Sequence, residues 1–251
     1  YSIGDQISAS ADITPKALTV SGVSVANKVY DGTTSATVDT ANAVFSGLIG
    51  NDDLSVSVSG TFSDKNAGIG KPVNLSSSFS GADAGNYSIT GQSVASANIT
   101  PKAISISGIT AADKMYDANT SASVNAAGAN GWLGGDDVSV SASGTFSDKK
   151  VGSGKTVNLT SSYGGADVGN YSITDQSVTT AGITPKAISI SGITAGNKTY
   201  DGNAGASVIT TGAVGWISGD NVIVNASGAF IDRNVGTAKT VNLTSSYSGA
   251  D

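Results

Sequence analysis

The chain has 251 residues, a net charge of −6, and neither cysteine nor histidine, which excludes thiol nucleophiles, disulfides, histidine bases, and zinc or haem ligation by those residues. Thirteen scattered basic residues face nineteen acids, every one an Asp, so nothing is available to neutralise a row of phosphates and nucleic acid is not an expected partner. No apolar run approaches the length that spans a bilayer, so membrane insertion is not expected either.

Gly, Ser, Thr, Val, Ile and Ala dominate, a composition that favours strand and turn over helix. The chain also repeats itself. Pro15, Pro101 and Pro185 are separated by 86 and 84 residues, Tyr30, Tyr116 and Tyr200 by the same, and Phe62, Phe146 and Phe230 by 84 and 84. In the frame that starts at each Thr-Pro-Lys, residues 1–14 are the terminal strand of a preceding repeat, 15–100 and 101–184 are repeats 1 and 2, and 185–251 is repeat 3, which lacks its last strand. The two-residue difference falls around Ala41 to Ile49, which is expected to be a loop.

Within a copy, period-two alternation marks the strands. The first carries Leu18 and Val20, with Ile104 and Ile106 or Ile188 and Ile190 in the later copies. A short one follows at Ala122 and Val124, and the longest carries Leu54, Val56, Val58, Gly60 and Phe62, matched by Val138, Val140, Ala142, Gly144 and Phe146. A fourth holds Val157, Leu159 and Tyr163, and a final stretch runs from Tyr171 through Ile173 and Val178 to Ile183. Asp-Gly, Gly-Asp-Asp and Ser-Asp-Lys clusters between them are turn chemistry, and no helix is expected. One apolar face per strand predicts an all-β tandem array of three small antiparallel, Ig-like β-sandwiches. Pro15, Pro101 and Pro185 leave no flexible tether between copies, so the array is expected to be rod-like.

These residues carry a resemblance. The order Ile-Thr-Pro-Lys-Ala, Lys-x-Tyr-Asp-Gly, Gly-Asp-Asp-Val-Ser-Val, Gly-Thr-Phe-Ser-Asp-Lys, Gly-Lys-Thr-Val-Asn-Leu and Ser-Gly-Ala-Asp-x-Gly-Asn-Tyr resembles the YDG and MBG-type repeats of very large secreted, filamentous-haemagglutinin-like adhesins of Gram-negative bacteria. Copy two departs at Asp117 and Ala118, where the turn glycine is lost. The resemblance implies an extracellular or cell-surface location, a stalk or matrix role in adhesion and biofilm, and no catalytic activity.

The candidate sites each have two readings. Tyr30, Asp31 and Gly32, with Tyr200, Asp201 and Gly202, form either a ligand-binding tip or a turn in which Gly takes positive φ. Lys28, Lys114 and Lys198 are expected to be solvated or to snorkel, the alternatives being pairing with an Asp or a side-chain amide crosslink to an Asn. Asp52, Asp53, Asp136, Asp137 and Asp220 are oxygen ligands of the kind Ca²⁺ prefers, with Asp83, Asp167 and Asp251 in reach by sequence, although the spacing of a known calcium loop is absent. Calcium is the one cofactor these residues suggest. Trp132 and Trp216 either stack on a sugar ring or close a small core or interface.

The function expected is that of structural spacers in an adhesin or extracellular fibre, with binding of an exopolysaccharide or glycan as the alternative. With only Asp, Ser, Lys and Tyr to work with and no obvious cleft, the chain is not expected to be an enzyme. The expected partners are neighbouring repeats placed end to end, with residues 1–14 either filling a strand position open in the third repeat of a neighbouring chain or protruding as a poorly supported arm.

Overall fold

A computed structural model describes residues 1–251. Repeat 1 contains β1 (Lys16–Ser21), β2 (Ser24–Val25), β3 (Lys28–Val29), β4 (Ser35–Ala36), β5 (Val38–Asp39), β6 (Val44–Ser46), β7 (Ser55–Phe62), β8 (Gly68–Ser80), β9 (Tyr87–Thr90) and β10 (Val94–Thr100). Repeat 2 follows with β11 (Lys102–Ser105), β12 (Thr110–Ala111), β13 (Lys114–Met115), β14 (Ser121–Ala122), β15 (Val124–Asn125), β16 (Ser139–Phe146), β17 (Gly152–Gly164), β18 (Tyr171–Thr174) and β19 (Val178–Thr184). Repeat 3 contains β20 (Thr194–Ala195), β21 (Gly205–Ala206), β22 (Val208–Ile209), β23 (Val222–Phe230) and β24 (Val241–Gly249). The only helical turns are 3₁₀, at Ala84–Asn86 and Val168–Asn170, and no helix is long and apolar enough to cross a membrane.

The fold is all-β, but its sheets are partial barrels rather than the two facing antiparallel sheets expected. In repeat 1 the order β3-β10-β8-β7-β4 makes a five-stranded sheet, β6-β1-β9 a three-stranded one, and β2-β5 a ribbon. Two pairings are parallel, β1 with β9 and β10 with β3, and repeat 2 reproduces them as β11 with β18 and β13 with β19. Alternation along a strand defines its faces but not the direction of its neighbour, so the parallel pairs were invisible to it.

Three local expectations change. The segment from Ala41 to Ile49 is not all loop, since β6 lies within it and pairs antiparallel with β1. The short strand at Ala122 and Val124 is two, β14 and β15, which join different sheets. The final stretch is likewise two strands, broken where Gln92 leaves the sheet. Its Oε1 accepts from Val23 N at 3.1 Å and its Nε2 donates to Val23 O at 2.9 Å, clamping β10 to the start of β2. Gln176 treats Ile109 the same way.

β7 and β8 pair along eight residues, and the inward faces of the sheets feed small cores. One gathers Leu18, Val20 and Tyr87 with Phe45, Leu54, Phe79 and Ile89 partly buried against them. The other type, seen in repeat 2, gathers Phe146, Val157, Ala181 and Ile183. Gly60 interrupts β7 because β5 crosses close by: a Cβ there would stand 2.8 Å from Val38 Cγ2 and 3.1 Å from Val73 Cγ1.

The compact units do not coincide with the sequence repeats. One contains Tyr1–Ser107, Asn130–Val140 and Tyr163–Asp175, the other Gly108–Ala129, Ser141–Ser162 and Gln176–Asp251. The first therefore holds the seam where repeat 1 meets repeat 2, and the second the seam where repeat 2 meets repeat 3. Residues 1–14 form no strand, and Tyr1, Ile3, Ile7 and Ile13 are exposed.

Candidate functional site

The seam in the first unit is built around Asp136, whose side chain is only 6% exposed. Burying a carboxylate is costly unless it is paired and hydrogen-bonded. Here Tyr30 and Tyr171 both donate to Oδ2, at 2.8 and 2.5 Å, and Lys65 Nζ donates to Oδ1 at 2.7 Å. Tyr30 and Lys65 come from repeat 1, while Asp136 and Tyr171 come from repeat 2. Lys65 also reaches Asp167 Oδ1 at 3.0 Å. The two tyrosine rings meet edge to face, 5.5 Å between centroids and 80° between planes, the arrangement their quadrupoles favour.

Backbone groups complete the contact. Tyr30 N donates to Thr100 O at 2.8 Å, tying the motif to β10 as that strand leaves for the next repeat. Asn170, 3% exposed, accepts from Ala67 N at 2.8 Å and donates to Asn66 Oδ1 at 3.2 Å. The 3₁₀ turn Val168–Asn170 delivers Asn170 and Tyr171 side by side to the seam.

The titration behaviour follows from this geometry. Burial works to raise the Asp136 pKa, but Lys65 and then the Tyr171 and Tyr30 hydroxyls hold it below the usual carboxylate range. Burial, and then the hydrogen bond to Asp136, pushes Tyr171 up to about 12 and raises Tyr30 as well. Hydrogen bonds to Asp136 and Asp167 raise Lys65. At neutral pH the seam thus holds the Lys65 ammonium, the Asp136 carboxylate and two neutral phenols. Its donors and acceptors face one another, so each charge brought into the seam meets a partner there.

The second unit repeats the arrangement. Tyr116 donates to Asp220 Oδ1 at 2.7 Å, while Lys149 Nζ lies 2.9 Å from Asp220 Oδ1 and 2.8 Å from Asp251 Oδ1. Hydrogen bonds to Asp251 and then Asp220 raise Lys149. Beside Tyr116 a cavity of about 400 Å³ opens, lined by Ile188, Trp216, Val222 and Asp251 among others.

Of the readings open for Lys28, the structure shows pairing with an Asp. Its Nζ is held by Asp31 Oδ1 at 2.8 Å, Thr33 O at 2.9 Å, Thr33 Oγ1 at 3.1 Å and Ser35 O at 3.0 Å, and stands 5.6 Å from the Phe62 ring centre. Lys114 and Lys198 are caged alike, on Asp117 and Asp201 and over Phe146 and Phe230. An ammonium is thus the built-in cation of each loop, drawing carbonyl oxygens together that would otherwise repel. Asp31 caps the turn at Thr33 N, 2.9 Å away, and Gly32 takes φ +77. Where copy two loses the glycine, Ala118 still adopts φ +63.

The remaining candidates fall into place around these features. Tyr30 is 1% exposed, which removes it as an aromatic platform for a ligand, whereas Tyr200 is 59% exposed. Asp201 pairs with Lys198. Among the calcium candidates, Asp52 accepts from the Tyr87 hydroxyl, Asp136 and Asp220 carry lysine and tyrosine, and Asp53 and Asp137 accept from Ala82 N and Ala166 N across the turn. No group of three or more Asp residues is placed to hold a metal ion. Trp132 and Trp216 are half-buried. Sequence reasoning passed over Lys65, Lys149, Asn170 and Tyr171 as seam residues. The signal was there: Lys65 and Lys149, like Asn86 and Asn170, recur at the 84-residue spacing with unchanged polar chemistry.

The YDG domain family matches the chain three times, over residues 14–95, 100–180 and 184–251. Compared with curated proteins and with solved structures, the chain has no match.

Proposed function

The chain belongs to the YDG domain family, and from that premise we propose that its repeats are structural spacers of a secreted bacterial adhesin or extracellular fibre, stiffened at each seam. The observation that carries this reading is where the motif tyrosine goes. Tyr30 and Tyr116 each leave their own repeat to bind an acid of the following one, Asp136 and Asp220. A residue used in this way serves cohesion along the chain rather than capture of a ligand. The Thr-Pro-Lys crossings support the same reading, since proline fixes φ and holds the preceding residue extended just where the chain passes between repeats. The caged lysines also suit an exterior setting in which ion supply varies, because each loop holds its own cation.

Small-angle scattering tests the proposal. A spacer gives an elongated particle whose maximum dimension is unchanged between low and moderate ionic strength, and replacing Pro101 by a Gly-Ser pair broadens its distance distribution. A compact or freely jointed particle for the unaltered chain would overturn the reading.

A further inference from the structure

The parallel pairings fall on the strands by which the chain enters and leaves a repeat. In repeat 1 it enters from Pro15 into β1, whose Lys16, Ala17, Leu18 and Thr19 lie opposite Tyr87, Ser88, Ile89 and Thr90 of β9. It leaves through β10 into Pro101, and the last two residues of β10, Ile99 and Thr100, lie opposite Lys28 and Val29 of β3. Repeat 2 has the same two pairs, β11 with β18 and β13 with β19. Side chains lock both. The register of β10 on β8 shifts between Ala97 and Ile99, and there Asn98 N donates to Asn27 Oδ1 at 2.7 Å. Thr100 Oγ1 donates to Lys28 O at 3.3 Å, and Gln92, between β9 and β10, holds Val23 just after β1. In repeat 2 Asp113 takes the Gly182 N–H, Thr184 reaches Lys114 O, and Gln176 holds Ile109.

We propose that these parallel pairs are shear clamps, which give the repeats a mechanical function: they carry tension along the chain without unravelling. Strand direction decides this. A pull along the chain draws β1 by its N-terminal end and β9 by its C-terminal end, through β10 toward the exit. In a parallel pair those are opposite ends, so the strands part only by sliding, and all the bonds of the ladder bear the pull together. The second route has the same geometry, since β3 is drawn from its N-terminal side through β2 and β10 from its C-terminal end. In an antiparallel pair both strands would be drawn from the same end, and the bonds would open one after another.

Residues 31–86, which include the whole β7–β8 hairpin, lie outside both routes and feel the pull only after both ladders have slipped. The Gln92 clamp joins the routes, because it ties the chain between β9 and β10 to the chain between β1 and β2. Neither ladder can therefore slide without also breaking side-chain bonds. Such a clamp deepens the spacer reading and rests on it for the source of the pull. The two fail separately, since the particle shape without load tests the spacer and a molecule under load tests the clamp.

Single-molecule force measurement is the test, and the absence of cysteine lets handles be attached at introduced thiols alone. Held by its two ends, the full chain is expected to give one force peak for repeat 1 and one for repeat 2. About twenty Gly and Ser residues inserted after Gly50, in an exposed turn outside both routes, should add about 7 nm to the length released at a peak, at roughly 3.3–3.6 Å per residue, and nothing to the length before it. Held instead at Asn51→Cys and Ala82→Cys, which flank the paired ends Ser55 and Ser80 of the β7–β8 hairpin, the chain should open at about half the force or less, because the bonds are taken one at a time. Ser172→Pro, opposite Ala103 within the β11–β18 ladder, should lower one of the two end-pulled peaks and leave the other. Equal forces along the two axes, inserted length that appears before the first peak, or two unchanged peaks in Ser172→Pro would each overturn the proposal.

Discussion

Replacing Tyr30 by Phe removes one hydroxyl and keeps the ring in its contact with Tyr171. The lost bond, at 2.8 Å, goes to a charged acceptor that is 94% shielded, so its removal falls in the class of hydrogen bonds to charged groups, about 1.5–3 kcal/mol. For a cooperative unit of this size such a loss lowers the melting temperature by roughly 5–15 °C. The chain supplies its own control, because Tyr200 occupies the same motif position and is 59% exposed with no bond from its hydroxyl. Tyr200→Phe should shift stability by less than about 0.5 kcal/mol. Calorimetry on both variants, completed by Asp136→Asn alone and combined with Tyr30→Phe, isolates the pairwise coupling. Equal shifts for Tyr30→Phe and Tyr200→Phe, or no coupling between Tyr30 and Asp136, would refute the argument that the tyrosine is a seam residue.

Ala118→Gly should stabilise the chain by about 1 kcal/mol, since it relieves a left-handed backbone at φ +63 in an exposed turn, and chemical denaturation reads it directly. Phe146→Ala should cost about 3–5 kcal/mol, because the ring is 2% exposed and is ringed by Val157, Ala181 and Ile183; an unchanged denaturation midpoint would refute the core assignment. The folded pKa of Asp136 lies below that of the unfolded chain, so the stability it lends is complete above about pH 4 and is lost as pH falls through the lower folded value. Tyr171 moves the opposite way: its contribution is complete below about pH 10, the unfolded tyrosine value. It drains as pH climbs toward the folded value of about 12, and melting curves across both limbs in wild type and Tyr171→Phe measure it.

The repeat and the long strands were legible because they are written in spacing and alternation. Phe62 and Phe146 were placed correctly at the ends of their apolar faces, both now 2% exposed. Strand direction was not legible: β10 lies parallel to β3 through a register between Ile99 and Lys28, a pairing 71 residues apart that no local pattern encodes. The role of Tyr30 was hidden for a related reason. Its Asp partner sits 106 residues away in the following copy, so within one repeat the motif reads only as a turn. The Asp31 partner of Lys28 could be read from the sequence, but the Thr33 and Ser35 carbonyls that complete its cage could not, since their directions depend on the folded loop and not on residue type. The break between β9 and β10 depends on Gln92 reaching a backbone 69 residues earlier, again a contact that alternation does not carry.

The offset between the compact units and the sequence repeats bears on how such a chain can be shortened, lengthened or dissected. Cutting at the Thr-Pro-Lys crossings yields a piece such as 101–184 that carries part of one compact unit and part of another, with Asp136 parted from Tyr30 and Lys65. A cut placed within a repeat, near 107 and 108, follows the edge of a body along the sequence but still separates segments 130–140 and 163–175 from it. No single excised period therefore keeps a complete seam. The smallest length that keeps one seam whole spans parts of two copies, so insertion or loss of a period preserves stability only when it recreates a complete seam on each side.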